Sequence, residues 1–142
     1  MRARPVIIAS VVVAAVIGVC AVGLSRAKRR VGFIGCGNYL VSIGYAARLW
    51  SSDRGSEQFP PDLLSMSNEV ITPKILVCPG DHSRQPAASW ASFTPDQSSF
   101  EVVTPSLRDG DTNRVFLRCK IHGSVLYGDG SVFVHGQRHH KH

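Results

Sequence analysis

An uncharged apolar stretch near the N-terminus constrains this chain more than any other feature. Residues 6–24 read VIIASVVVAAVIGVCAVGL and include no charged side chain. A helix rises about 1.5 Å per residue, so this stretch would be roughly 28 Å long, close to the hydrocarbon thickness of a bilayer. The stretch therefore predicts a transmembrane helix in a single-pass protein. The alternatives are a cleavable signal peptide with MRAR as its basic region and a lipoprotein signal that uses Cys20.

The net charge of +6 lies at the two ends of that stretch. Residues 1–30 contain six basic and no acidic side chains, whereas residues 31–142 contain ten of each. Basic residues beside an apolar helix suit anionic lipid headgroups, but a nucleic-acid-binding domain needs positive charge on its folded part. We therefore expect residues 1–30 to be a membrane anchor with basic flanks, the lipid bilayer to be a partner, and nucleic acid not to be one.

The rest of the chain shows a helical period followed by short extended segments. Apolar residues recur every three or four positions between residues 31 and 53, the spacing of an amphipathic helix, and Gly55 follows its predicted end. Pro and Gly then punctuate the sequence, with one short helix predicted at PPDLLSMS. Strands are predicted at residues 74–78, 98–105 and 113–119, with a hairpin over residues 124–134. These patterns predict an α+β domain over residues 31–135 and a disordered, His-rich tail over residues 136–142.

A glycine-rich segment at residues 32–38, GFIGCGN, resembles the phosphate-binding turn of dinucleotide-binding proteins. Such a unit needs a second parallel strand after its helix, but the chain continues with RGSEQFPPD, which is polar and Pro-rich. The sequence therefore predicts no nucleotide cofactor.

Cysteines at positions 78 and 119 each end a predicted strand. Two strand ends in a small sheet can approach within the roughly 5.5 Å Cα separation of a disulfide. In an oxidising compartment we expect a bridge between Cys78 and Cys119, with Cys36 as the rival partner for either.

The same cysteines also belong to an alternative metal site. CPGDH supplies Cys78 and His82, and CKIH supplies Cys119 and His122. Two thiolates and two imidazoles suit a tetrahedral zinc ion, but the spacing within the first pair is less specific than in a C-x-x-C motif. The sequence favours the disulfide over this zinc set.

No catalytic residues are predicted, and we expect the protein not to be an enzyme. His122 with Asp129 could serve as a base and its orienting acid, and a pocket that also held His82 would support this reading. However, both His122 and Asp129 fall at turns of the predicted hairpin, where Asp and Gly are favoured for backbone reasons.

The order of the motifs resembles that of pseudopilin-like proteins related to type II secretion. The resemblance covers residues 36–134 and rests on CGNYLVSIGYAARLW, FPPDL, the CPGD turn at residues 78–81, and CKIHGSVLYGDGSV at residues 119–132. At the N-terminus the chain departs from that family, because PVIIASVVVAAVIG has neither the glycine cleavage site nor the acid that follows it. Processing by a prepilin peptidase is therefore not expected.

The resemblance implies an α+β fold in which a long N-terminal helix, half membrane-embedded and half amphipathic, packs on a small antiparallel sheet. It also implies a structural or interaction component of the bacterial inner membrane, able to assemble with copies of itself or with other pilin-like subunits. The globular domain would lie outside the cytoplasm, although the basic residues after the apolar stretch favour the inside. The alternative function is a membrane-tethered interaction module stabilised by zinc.

Overall fold

The computed structural model describes the backbone of residues 3–134 and 137–139 and the side chains of residues 13–27 and 30–134. The chain divides into two compact units, Met1–Val31 and Gly32–His142. Helix α1 (Ala3–Asp53) contributes residues to both. The second unit contains every strand among the described residues.

The described part of the first unit is helical, and its large apolar side chains are exposed. Between 53% and 75% of the surface of each large apolar side chain from residue 13 to residue 24 is accessible: Val13, Val16, Ile17, Val19, Val22 and Leu24. Among the described residues, no helical stretch combines the length and the apolar character that crossing a membrane requires. The predicted transmembrane helix, and with it the single-pass inner-membrane placement, is corrected by this finding.

The C-terminal part of α1 has one buried face. Cys36, Leu40, Ile43 and Ala47 are fully buried and follow the helical spacing of three or four residues. The helix ends at Asp53, and Gly55 adopts a positive φ of 58°. The backbone N–H groups of Gly55 and Ser56 donate to the carbonyls of Ser52 and Ser51, closing the helix with a Schellman motif. The predicted amphipathic helix and its end are confirmed.

The sheet is antiparallel, with its strands arranged in chain order. Its five strands are β1 (Phe100–Val102), β2 (Val115–Cys119), β3 (Val125–Tyr127), β4 (Val132–Val134) and β5 (Gln137–His139). The predicted strands at residues 98–105 and 113–119 and the hairpin at residues 124–134 are confirmed. In the hairpin, Gly130 has a φ of 81° and donates its N–H to the Tyr127 carbonyl at 3.0 Å. The fold class is therefore α+β, one long helix with a small antiparallel sheet.

One local prediction is wrong, and another concerns residues that are only partly described. Residues 74–78 are not a strand, because Pro73 begins a 3₁₀ turn (Pro73–Leu76) whose first residues are capped by Thr72 Oγ1, which accepts from the Lys74 N–H at 3.3 Å. PPDLLSMS, where one short helix is predicted, contains a 3₁₀ helix of three residues (Leu64–Met66). Residues 137–139, predicted to be disordered, form β5, while residues 136 and 140–142 of that tail lie outside the described residues.

The core of the second unit lies between the buried face of α1, the sheet and the loops from residue 59 to residue 99. Phe59 and Phe116 are buried and meet edge to face, with ring centroids 4.8 Å apart. Such aromatic pairs stabilise a core by about 0.5–1.5 kcal/mol beyond the burial of their surface. All three cysteines of this unit belong to the same core cluster. The fold therefore buries its thiols together.

Candidate metal centre

Four parts of the second unit each bring one side chain of a type that could bind a metal to a common point. Cys36 lies on the buried face of α1, and Cys78 follows the 3₁₀ turn Pro73–Leu76. Cys119 is the last residue of β2, and His122 lies in the turn between β2 and β3. Residues far apart in sequence thus meet at one end of the sheet.

The four donor atoms are close enough to share one ion. The three sulfurs and one histidine nitrogen all lie within 4.8 Å of one another. His122 Nδ1 is 3.2 Å from Cys78 Sγ and 4.0 Å from Cys119 Sγ. In a tetrahedral zinc site with Zn–S about 2.3 Å and Zn–N about 2.1 Å, sulfur and nitrogen are about 3.6 Å apart. The two observed distances lie on either side of this value, so the cluster could bind a metal with small side-chain shifts.

The sequence identified three of these four residues. Cys78, Cys119 and His122 come together, but His82 is exposed and is not part of the cluster. Cys36 takes its place. The signal that could have found Cys36 is its position four residues before Leu40, on the buried stripe of the helix.

The cysteines of this cluster are free thiols in the structure, and so is the exposed Cys20 of the first unit. The expected bridge between Cys78 and Cys119 is therefore not formed here. Each of these two sulfurs instead has Cys36 and His122 as further neighbours.

The three thiols of the cluster shift one another's pKa values. The pKa of Cys119 is lowered because the thiols of Cys36 and Cys78 and the backbone N–H groups of His122 and Ile121 donate hydrogen bonds to its sulfur. The pKa values of Cys36 and Cys78 are raised, chiefly because each keeps a proton to donate to Cys119. A thiolate that accepts backbone N–H bonds is also a good metal ligand, since those bonds persist when a cation replaces the thiol protons.

A buried polar network holds the loop that carries Cys78. The Cys78 N–H donates to Ser99 Oγ at 2.9 Å, and Ser99 Oγ donates to Asp81 Oδ2 at 2.7 Å. Asp81 also accepts from Ser83 and from Arg84 Nη1, the latter at 2.7 Å. Burial alone would raise the pKa of the Asp81 carboxyl, but the hydrogen bonds from Ser83, Ser99 and Arg84 lower it well below its ordinary value. Asp81 therefore positions the Cys78 loop.

Replacing Asp81 with Ala is expected to lower the free energy of unfolding by about 2–4 kcal/mol at pH 7, because Ser99 and Arg84 lose a buried charged acceptor. Since its folded pKa lies below the ordinary value of 3.8, this contribution is present above about pH 4 and is lost as the pH falls further. Urea unfolding of wild type and Asp81→Ala measures the difference. The control is Asp53→Ala, an exposed carboxylate at the end of α1, for which we expect a change under about 0.5 kcal/mol. Equal losses in the two variants would contradict this role of Asp81.

Two glycines, Gly80 and Gly32, and the ring of Phe33 lie around the His122 imidazole. The ring of Phe33 lies against it, with centroids 4.4 Å apart and a tilt of 47°. A Cβ on Gly80 would lie 2.5 Å from His122 Cε1, whereas a Cβ on Gly32 would lie 3.7 Å from His122 Nε2. Only glycine at position 80 leaves room for the ring in this position.

The variant Gly80→Ala is expected to weaken metal binding by about tenfold or more, since the added methyl group pushes the imidazole away from the three sulfurs. Gly32→Ala is the matched control, because its methyl group meets the same ring at ordinary van der Waals distance. Competition with a zinc chelator of known affinity measures both variants. Equal affinities in the two would show that the position of the ring does not limit binding.

Asp129, the acid of the alternative catalytic pair, accepts hydrogen bonds within the β3–β4 turn. Its Oδ1 accepts from the N–H and the hydroxyl of Ser131, at 2.8 and 2.6 Å, inside the β3–β4 turn. His122 instead directs Nδ1 towards the cysteines, and His82 is exposed. Asp129 is thus explained by the geometry of the turn.

No protein-family model matches this chain, and no curated protein and no solved structure is significantly similar to it. The resemblance to pseudopilin-like proteins therefore stays a prediction from the sequence motifs. The chemistry of the cysteine and histidine cluster is the strongest indication of function among the described residues.

Proposed function

We propose that residues 32–134 form a structural zinc-binding domain that acts as a non-enzymatic interaction or assembly component. The observation that carries this proposal is the convergence of Cys36, Cys78, Cys119 and His122 within 4.8 Å. A single ion at this point would tie the helix, the Cys78 loop and the end of β2 to one another.

The donor set favours zinc over other metals. Three thiolates and one imidazole are soft or borderline ligands, which suit Zn²⁺ and not the hard cations Mg²⁺ and Ca²⁺. Three cysteines and one histidine also form one of the common combinations in tetrahedral structural zinc sites. Three thiolates leave a zinc site with one net negative charge, and the N–H groups of Gly80, Ile121 and His122 offset part of it at the sulfurs.

Burial and ligand number favour a structural role over a catalytic one. A catalytic zinc has three protein ligands and one open position for water or substrate. Here four protein donors complete the tetrahedron, and no cysteine of the cluster is more than 1% exposed. The described strands have only three to five residues each, so a small sheet of this kind gains from a metal that links distant segments.

We base the proposed interaction role on the order of the motifs, which resembles the order in pseudopilin-like proteins. The four metal donors lie within those motifs: Cys36 in CGNYL, Cys78 in CPGD, and Cys119 and His122 in CKIH. If the motifs serve to build this centre, a subunit of such an assembly would depend on zinc for its fold and on other surfaces for its contacts.

X-ray absorption at the zinc edge tests this role on the full reduced chain. We expect three sulfurs at about 2.3 Å and one nitrogen at about 2.0–2.1 Å, with no oxygen ligand. The His82→Ala variant should give the same spectrum, whereas His122→Ala should lose the nitrogen. A water ligand in wild type would contradict a structural role, and a spectrum changed by His82→Ala would contradict the assignment of His122.

A further inference from the structure

The cluster contains three cysteines, so a disulfide between any two leaves the third unpaired. We propose that the centre is a redox switch in which peroxide oxidises Cys78 and Cys119 to a disulfide and zinc is released. This inference rests on the proposed zinc site. The two sulfurs that would pair, those of Cys78 and Cys119, are the ones expected from the sequence to form a bridge. Both also belong to the cluster found in the structure.

The backbone favours Cys78 and Cys119 as the pair that closes. The N–H of Cys78 donates to Ser99 Oγ at 2.9 Å, and the residue after Cys119, Lys120, donates its N–H to the Ser99 carbonyl at 2.8 Å. Ser99, the residue just before β1, therefore holds the backbone of Cys78 and of the residue that follows Cys119. Cys36 is fixed separately in the middle of a long helix.

The distance to be closed is small. The sulfurs start within 4.8 Å of each other, and a disulfide needs about 2.05 Å. Changes in the side-chain rotamers can supply this movement while the hydrogen bonds to Ser99 keep the Cys78 loop and the end of β2 in place. Rotation of the two side chains towards each other also draws both sulfurs away from the central ion.

The chemistry balances with hydrogen peroxide as the oxidant. One thiolate attacks the peroxide and becomes a sulfenic acid with loss of hydroxide, and the second thiolate attacks that sulfur to form the disulfide with loss of a second hydroxide. Each hydroxide takes a proton from the solvent and leaves as water. The two thiolates lose two electrons, and the peroxide takes them together with two protons. Zn²⁺ then keeps only Cys36 and His122 as donors, which is too few for a stable structural site.

Peroxide must reach sulfurs that are at most 1% exposed. His122 is the ligand with the most exposed surface, being half-buried beside Phe33. Opening of the centre on the His122 side is therefore the route for the oxidant, and a variant that loosens the imidazole should react faster. Gly80→Ala, whose methyl group would displace the ring, is that variant, and Gly32→Ala is its control.

The test uses the full zinc-loaded chain carrying Cys20→Ser, which removes the exposed thiol outside the cluster. Hydrogen peroxide is added, released zinc is followed with a chromogenic chelator, and the thiols are then alkylated and mapped by mass spectrometry. We expect one zinc released per disulfide, a peptide linking Cys78 to Cys119, and alkylated Cys36. Dithiothreitol with added zinc should restore the starting state, and Gly80→Ala should form the disulfide several-fold faster than Gly32→Ala.

The outcomes separate this inference from the proposed function. If one zinc ion per chain binds and stays bound, with all three cluster thiols still reduced after peroxide treatment, the switch is overturned and the structural site still stands. A bridge that includes Cys36, or one between two chains, would also overturn it. A reduced chain that binds no zinc would overturn the proposed function, and the switch with it.

Discussion

Removal of zinc is expected to unfold the second unit of the protein. The ion would connect α1, the Cys78 loop and the end of β2, and binding free energy at such sites adds directly to folding free energy. We expect the chelated chain to lose at least about 4 kcal/mol of stability, the amount given by a ligand present at 1,000 times its dissociation constant. For a domain of about 100 residues this corresponds to a fall in melting temperature of roughly 15–30 °C.

Tryptophan fluorescence measures this unfolding in the right part of the molecule. The chain has two tryptophans, Trp50 and Trp90, and both lie in the second unit. Trp90 is held by a hydrogen bond from its Nε1 to the Val70 carbonyl at 2.9 Å, so its emission should shift to the red when the unit opens. A zinc chelator in the presence of a reductant should cause the shift, and zinc but not magnesium should reverse it. Identical melting curves with and without chelator would contradict a structural ion.

Replacing Cys36 with Ser is expected to weaken zinc binding at least a hundredfold. A hydroxyl is a poor ligand compared with a thiolate, and its loss leaves two sulfurs and one nitrogen around the ion. The change is nearly isosteric, so the buried face of α1 keeps its packing and the loss reports on ligation. Chelator competition on the reduced chain measures the affinity.

Two variants serve as controls for this prediction. Cys20→Ser removes an exposed cysteine of the first unit, and His82→Ala removes the histidine that the sequence placed in the metal site. Neither should change zinc affinity by more than about twofold. If Cys36→Ser bound zinc as tightly as wild type while His82→Ala did not, the set expected from the sequence would be right and the geometry of the structure wrong.

The elements with strong local signals could be predicted from the sequence. The amphipathic part of α1 follows the helical period from Leu40 to Ala47, and the β3–β4 hairpin contains the glycines that its turn requires. The prediction of a strand at residues 74–78 is wrong. KILVC is as apolar as a buried strand, but Pro73 and the Thr72 cap favour a 3₁₀ turn. Short apolar runs do not distinguish these states.

The metal centre was only partly predictable because it depends on which way consecutive side chains point. In the CPGDH turn, Asp81 faces the core and accepts from Ser99, so His82 points outwards even though its spacing from Cys78 suits a ligand. Cys36 lies in helix α1, some forty residues before Cys78. No local motif contains both residues. Long-range packing between α1 and the sheet decides that contact, and sequence spacing alone does not encode it.

The zinc and thiol content of the purified, reduced full chain tests the central claim most directly. Elemental analysis should find one zinc per chain, and a thiol reagent should find one fast-reacting cysteine, Cys20, with the other three protected until the metal is removed. A chain with no zinc, whose Cys78 and Cys119 remain accessible or joined in a stable disulfide under the same conditions, would contradict the account.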